Sequence, residues 1–482
     1  MNKTVLTLMG VISGIPFSTY ANSDLEKPNV VVIEVDDLHY KCLGYMGNKV
    51  VKTPNLDKLA ASGTVFNNCI VQGVACAPSR NSLISGSYPH NTGIYLNQSL
   101  ASLKNNGWTF PKALQRAGVY TSLIGKNHFR AHGFKIDGDA KSTERNKIVS
   151  QQLGFDYSVS TLGKVVVSKT LIDSEKDPYA KSLHEKNVYE KLVKAYNKKP
   201  LVFPLGEEDY LDSFISNRSV DWLKNRKSGE KPFFMWIDYS LPHPPMDAPA
   251  KYRGMYDDAK LPKLIPANKK GLPKCMSKGM KAKGKSSYLR GYYELVTMMD
   301  DQVGKIMSAI DDAGLRENTI IVFFSDHGSM IGNHGLYAKK YFYKDVLNSP
   351  LIIAHPTLGK GKTIDQCVEL VDVSKTMLDI YNAKEEDVKK SHGESLLPLI
   401  SGEGNYDKEY VFAEHNDGIM IQNNEFKYMR FKKDIDVLFD LKNDPDEMTN
   451  VVKKHPELVK ALSAKIDQWL LATGPVEKHV EK

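Results

Sequence analysis

The stretch VACAPSRNSLISG, Val74 to Gly86, sets a cysteine at the mouth of a helix-like segment, four positions ahead of an arginine. A thiol there is structural, nucleophilic, or raw material for another group. A nucleophilic thiol needs an imidazole close in space to take its proton, and the chain offers several histidines. Other residues point elsewhere. Asp36-Asp37, Gly125-Lys126-Asn127-His128 and Ser325-Asp326-His327-Gly328 each end an apolar, strand-like run. Carboxylates and an imidazole gathered at strand ends describe an oxygen-rich site for a hard divalent cation. A thiol is a poor ligand for such an ion, so at this level the cysteine and the metal site disagree.

These residues lie far apart in the chain, and only the elements that carry them can bring them together. NVVVIEVDD, after Pro28, is a continuous β-branched run of the kind buried on both faces of a parallel sheet. TPNLDKLAASG follows with a cap-like Thr53, apolar residues at helical spacing and Gly63 to stop it. Strand-like runs recur at VYTSLIG, PFFMWIDYS, TIIVFFSDHG and SPLIIAHP, with helical stretches at 110–118, 208–226, 287–313 and 372–381. This alternation predicts an α/β fold with a large, mainly parallel sheet covered by helices. Open sheets of this kind bind ligands at the carboxyl ends of their strands, where the polar residues sit. From about Gly404 the pattern changes to the short pieces YVFAEH, GIMIQNN, FKYMRF and VLFDL and one amphipathic helix in KHPELVKALSAKIDQWLL. We therefore expect a large domain over 24–403 and a smaller α+β domain over 404–482.

Residues 1–23 carry one lysine, an apolar run too short to span a membrane, and small residues near Ala21. This predicts a signal peptide and a secreted or periplasmic protein without a transmembrane segment. Five cysteines, Cys42, Cys69, Cys76, Cys275 and Cys367, are too few and scattered for a disulfide scaffold or a zinc cluster. An odd number leaves at least one unpaired. The net charge of +8 is modest for 482 residues, and no nucleic-acid partner is expected. Lysines nevertheless crowd between Lys260 and Arg290, where they would attract polyanions if the segment borders an active site.

CAPSRNSLISG fits C-x-P-S-R-x-x-L-x-[TS]-G, and in this the chain resembles the type I, formylglycine-dependent sulfatases of the alkaline phosphatase-like superfamily. VDD, GKNH, PHPP at 242–245, SDHG, HGLYAKKYFYKD at 334–345 and VLFDLKNDPDEMTNV at 437–451 extend the similarity along the chain in order. The resemblance implies that Cys76 is oxidised to formylglycine by a formylglycine-generating or anaerobic sulfatase-maturing enzyme, so that an oxygen nucleophile replaces the thiol. It also implies that Asp36, Asp37, Asp326, His327 and the modified Cys76 hold Ca²⁺. Arg80 would neutralise the nucleophile, Lys126 and Lys339 would clamp the sulfate, His128 would act as base, and His243 as acid, with Lys339 able to share that task.

Two departures accompany the likeness. His327 stands where most members have asparagine, and Lys344 and Asn348 replace the Glu and Arg of K-x-x-x-Y-E-x-x-x-R-x-P-L. The expected substrate is a sulfated polysaccharide or oligosaccharide, with Arg130, His132 and the lysine-rich segment as a basic rim. The competing expectations are an arylsulfatase, a phosphatase or phosphodiesterase of the same superfamily, and a polyanion-binding protein with a decayed site.

Overall fold

The computed structural model describes residues 27–97, 107–129, 152–226, 230–281, 285–339 and 341–474. The expected signal peptide, Arg130 and His132 lie outside these residues. A nine-stranded sheet runs in the order β4-β3-β5-β1-β6-β7-β2-β8, with β9 also paired to β2. The strands are β1 Asn29–Val35, β2 Thr64–Ile70, β3 Tyr120–Lys126, β4 Tyr157–Thr161, β5 Phe233–Asp238, β6 Thr319–Ser325, β7 Asn348–Ala354, β8 Lys362–Ile364 and β9 Val368–Glu369. Every pairing is parallel except those of β7 with β6 and β2, so β7 alone runs against the rest.

The continuous apolar runs behave as the residue pattern dictates. Successive side chains of a strand face opposite sides, and β1 accordingly sends Val30 and Val32 into one buried cluster and Val31, Ile33 and Val35 into the other. Helices cover both faces, among them Ser286–Asp312, which packs against Leu211–Lys224 and Pro54–Ser62. The carboxyl ends of β1, β3, β5, β6 and β2 share one edge. Because β7 runs backwards, the chain from β6 to β7 also turns on that edge, which keeps residues 326–347 beside the other strand ends.

The smaller unit is a four-stranded antiparallel sheet, β10 Val411–His415, β11 Gly418–Gln422, β12 Phe426–Phe431 and β13 Val437–Asp440, covered by helix Pro456–Thr473. Phe412 and Trp469 stack with their ring centroids 4.4 Å apart at the centre of that contact. Buried charge fastens the two units together. Glu414 accepts from His90 Nδ1 at 2.8 Å, and Glu369 accepts from Tyr88 at 2.7 Å and from the backbone N–H of Phe412 at 2.7 Å.

One local reading differs from expectation. Thr53 makes no side-chain cap on helix Pro54–Ser62; its hydroxyl accepts from Gly44 N–H and donates to Asp57. The free N–H groups of Asn55 and Leu56 are taken instead by the Asp300 carboxylate, at 3.0 and 2.8 Å, from a helix 245 residues away in sequence. None of the five cysteines forms a disulfide.

Candidate active site

Helix Cys76–Ser85 has every residue buried. Its first turn is set by extended backbone at Ala75 and its end by Gly86 in the left-handed region, φ 59°. The loop before it passes so close that a Cβ on Gly73 would stand 2.4 Å from the Pro78 side chain. Arg80 lies one turn beyond Cys76 and therefore on the same helix face.

Four groups with ligand atoms meet at the helix mouth. Atoms of Asp36, Cys76, Asp326 and His327 lie within 4.8 Å of one another, all buried. Cys76 Sγ is 3.2 Å from His327 Nε2, 3.5 Å from Asp36 Oδ1 and 3.0 Å from Lys339 Nζ. Asp37 stands beside this group, its Oδ1 3.3 Å from His327 Nδ1. Both its carboxylate oxygens are buried without a hydrogen-bond donor. Its backbone is left-handed at φ 72°, and its N–H donates to Asp326 Oδ1 at 3.1 Å. A buried carboxylate without donors is costly unless a cation faces it. Three buried carboxylates, one of them without a donor, and an imidazole are a donor set that fits a hard divalent ion.

The cations around the cluster are equally enclosed. Lys126, at the end of β3, pairs with Asp36 Oδ2. It is placed there by Gly125, whose φ of 130° and close approach to the Asp238 carbonyl leave no room for a Cβ. Burial opposes ionisation of Asp36, yet Lys126, His243 and Lys339 hold its carboxyl well below the usual range. Burial also opposes the charge on Lys339, and Asp37, Cys76 and Asp36 outweigh it, so the ammonium persists. Burial pushes His128 well below its usual value, helped by Lys126 and Arg80, which keeps its imidazole neutral and able to accept a proton. His243 is lowered by burial, with Asp36 acting in the opposite sense.

Around Arg80 the structure adds residues that the sequence motifs had not singled out. Its Nε meets Asp326 Oδ2 at 2.9 Å, its Nη1 meets Glu34 Oε2 at 3.0 Å, and Nη1 also pairs with Asp238. Burial drives the Asp238 carboxyl up to about 7 and raises that of Glu34 as well. Glu34 and Asp238 thus hold the guanidinium in place, leaving Nη2 buried without an acceptor. The signal was present: each is an acid inside an otherwise apolar strand, and a buried acid demands a partner.

The loop carrying His243 is fixed at both ends. Asp212 Oδ1 accepts from Ser240 N–H at 2.7 Å and Leu241 N–H at 3.0 Å. Beyond it, the buried Lys164 ammonium donates to Pro245 O at 3.1 Å, Asp247 Oδ1 at 2.9 Å and Tyr210 OH at 2.8 Å. His243 Nδ1 faces the Pro244 carbonyl at 2.7 Å, so that Nε2 is the nitrogen left for a substrate. Nothing in the sequence pattern marked Lys164 or Asp212, because their partners are remote. Replacing Lys164 by methionine strands Asp247 in the interior. It is expected to destabilise the protein by about 3 kcal/mol or more and to lower kcat with the loosened loop, as read by urea unfolding beside steady-state rates.

The departures at Lys344 and Asn348 are accommodated away from the cluster. Lys344 N–H donates to Glu447 at 2.7 Å, its Nζ reaches Asn68 at 3.3 Å, and Asn348 Nδ2 donates to Asn67 O at 2.9 Å.

Comparison with known proteins agrees with this architecture. A family model described as Sulfatase matches residues 28–383, and one described as N-sulphoglucosamine sulphohydrolase, C-terminal, matches residues 332–471. The chain is 29% identical over 450 residues to an arylsulfatase of Clostridium perfringens, covering 88% of this chain and 90% of that one. It is 25% identical to an N-acetylglucosamine-6-O-sulfatase of Bacteroides thetaiotaomicron, covering 97% and 92%. The crystal structure of a phosphonate monoester hydrolase of Agrobacterium radiobacter superposes with a TM-score of 0.75 at 20% identity, covering 93% and 96%.

Proposed function

The chain belongs to the sulfatase family, whose members are sulfuric ester hydrolases, and from that premise we propose that it is exported and removes sulfate from sulfated polysaccharides or oligosaccharides, using formylglycine derived from Cys76 and a bound calcium ion. The observation that carries this reading is the buried meeting of Asp36, Cys76, Asp326 and His327 with Lys126 and Lys339 pressed against it. A thiol enzyme needs no such carboxylates, whereas a sulfate ester needs this much positive charge. The similarity to an enzyme named for a sulfated amino sugar supports the carbohydrate class.

Formylglycine would supply an oxygen nucleophile and calcium a fixed charge; Asp36, Asp37, Asp326, His327 and the modified side chain of residue 76 would hold the ion. Lys126 and Lys339 face the sulfate oxygens, where their charge strengthens as negative charge builds up in the transition state. Arg80, held by Glu34, Asp238 and Asp326, stays cationic beneath the nucleophile. Neutral His128 takes a proton from the nucleophile side, and His243, in the imidazolium form that Asp36 and Asp37 favour, gives one from Nε2 to the departing sugar oxygen. We further place the division between the catalytic and the smaller unit at 403/404, just after helix Leu397–Ser401.

Free sulfate, measured by ion chromatography against a panel of sulfated glycans and aryl sulfates at two salt concentrations, tests the reading. We expect release from glycans, weaker release from aryl sulfates, and rates with glycans that fall as salt rises. Faster hydrolysis of a phosphonate or phosphodiester than of every sulfate ester overturns it. Mass spectrometry across Val74–Arg80 should find an aldehyde at position 76; a free thiol in fully active protein removes formylglycine from the account.

A further inference from the structure

A cavity of about 520 Å³ opens where the chain after β1, the lysine-rich segment, helix Ser286–Asp312 and the loop after β6 come together. Four lysines, Lys41, Lys49, Lys260 and Lys263, are among the residues that line it, with one acid, Asp446. Asp446 lies 3.9 Å from Lys41, and Lys49, Lys260 and Lys263 have no carboxylate partner among the described residues. Uncompensated cations from two separate segments of the chain around one concavity make a field that favours anions.

The cavity is built rather than draped. Asn333 Oδ1 accepts from Ile265 N–H at 2.9 Å, and His334 N–H donates to Ile265 O at 2.8 Å, which pins the lysine-bearing segment to the loop that begins at Asp326. Asn333 Nδ2 donates to Asp345 Oδ2 at 2.8 Å, and the other oxygen of Asp345 is 3.1 Å from His39 Nε2. His39 is two residues beyond Asp37, and Tyr292 OH, which accepts from His39 N–H, donates to the Asp37 carbonyl. One hydrogen-bonded frame therefore fixes both the cavity and the catalytic cluster.

We propose, resting on the sulfatase reading, that this cavity is a second carbohydrate subsite, which holds an anionic sugar of the same chain while its neighbour is desulfated. A sulfate half-ester or carboxylate on a sugar is a fixed anion that lysine ammonium groups meet as point charges. Leu289 and Tyr293 give the cavity an apolar wall for the sugar face, and its volume falls within the range of small-ligand sites. The subsite selects multiply charged glycans over isolated sulfate esters.

The test compares two quadruple variants that lose the same charge. One is Lys41→Ala, Lys49→Ala, Lys260→Ala, Lys263→Ala; the other is Lys191→Ala, Lys198→Ala, Lys384→Ala, Lys460→Ala, at exposed positions outside the cavity. Binding of a dextran sulfate octasaccharide is measured by calorimetry at low and high salt, beside neutral dextran and a DNA oligonucleotide of equal charge. Each exposed ion pair is worth a factor of about 1.5 to 5, so the cavity variant should bind about tenfold or more weakly. The control should change by less than about threefold, and high salt should shrink the difference. Equal losses in the two variants, or DNA bound as tightly as dextran sulfate, overturn the subsite. Failure of the parent to release sulfate from any ester instead overturns the proposed function, and the binding comparison still decides the cavity.

Discussion

Replacing Cys76 by serine is expected to lower sulfate release at least about 10⁴-fold, since loss of a covalent nucleophile costs on the order of 10⁶ in well-studied hydrolases. The change is nearly isosteric in a fully enclosed place. Sγ sits within 3.0–3.5 Å of Lys339, His327 and Asp36, and a hydroxyl can keep those contacts. Fold and substrate binding should therefore persist, with the melting midpoint within a few degrees of the parent's. What serine lacks is the second oxygen on the same carbon that lets the proposed nucleophile release sulfate. Sulfate release under saturating substrate, beside a thermal melt, checks both halves. Multiple turnover near the parent's rate means that some other group attacks sulfur.

Stripping the divalent cation should be nearly as severe, lowering turnover by at least about 10³-fold, with recovery on adding calcium. The warrant is electrostatic. Asp36, Asp37 and Asp326 are buried within one small volume, and neither oxygen of Asp37 has a donor. Lys126 and Lys339 offset part of this charge, yet among the described residues Asp37 has no lysine within ion-pair distance. An ion bound only by the folded state stabilises it by about 2.7 kcal/mol at a hundredfold excess over its Kd. The melting midpoint should accordingly drop by a few degrees on chelation and rise again with calcium, independently of any assay of activity. Undiminished turnover in protein shown by elemental analysis to be free of metal contradicts the assignment of these carboxylates.

Much of this site was legible because its carriers are simple. NVVVIEV, TIIVFFS and NSPLIIA are long apolar runs that fit the two-sided burial of a central strand, and the polar residues that end the first two fall at the ligand edge. Strand β2, TVFNNCI, went unrecognised because Asn67 and Asn68 interrupt its apolar run where the pairing shifts register. The helices between 164 and 196 are only 6 to 8 residues long, about two turns, too short for a helical repeat to declare itself in the sequence. Contacts between distant parts of the chain left the least trace. Asp300 capping a distant helix, Asp212 and Lys164 gripping the His243 loop, and Asn333 pinning the lysine-rich segment all depend on which residues folding brings together. Glu34 and Asp238 are the instructive exceptions: an acid in an apolar strand announces a buried partner without naming it.

The burial of helix Cys76–Ser85 also sets an order of events in time. Cys76 is 1% exposed, and no residue of its helix reaches the surface. An enzyme that oxidises Sγ cannot reach it in the finished molecule and must meet the segment while the chain is still open. If residue 76 is matured as proposed, each copy is committed before folding is complete to being active or inert for its lifetime. A host without the maturing enzyme would yield well-folded, stable and silent protein, and the specific activity of a preparation would report on the cell that made it.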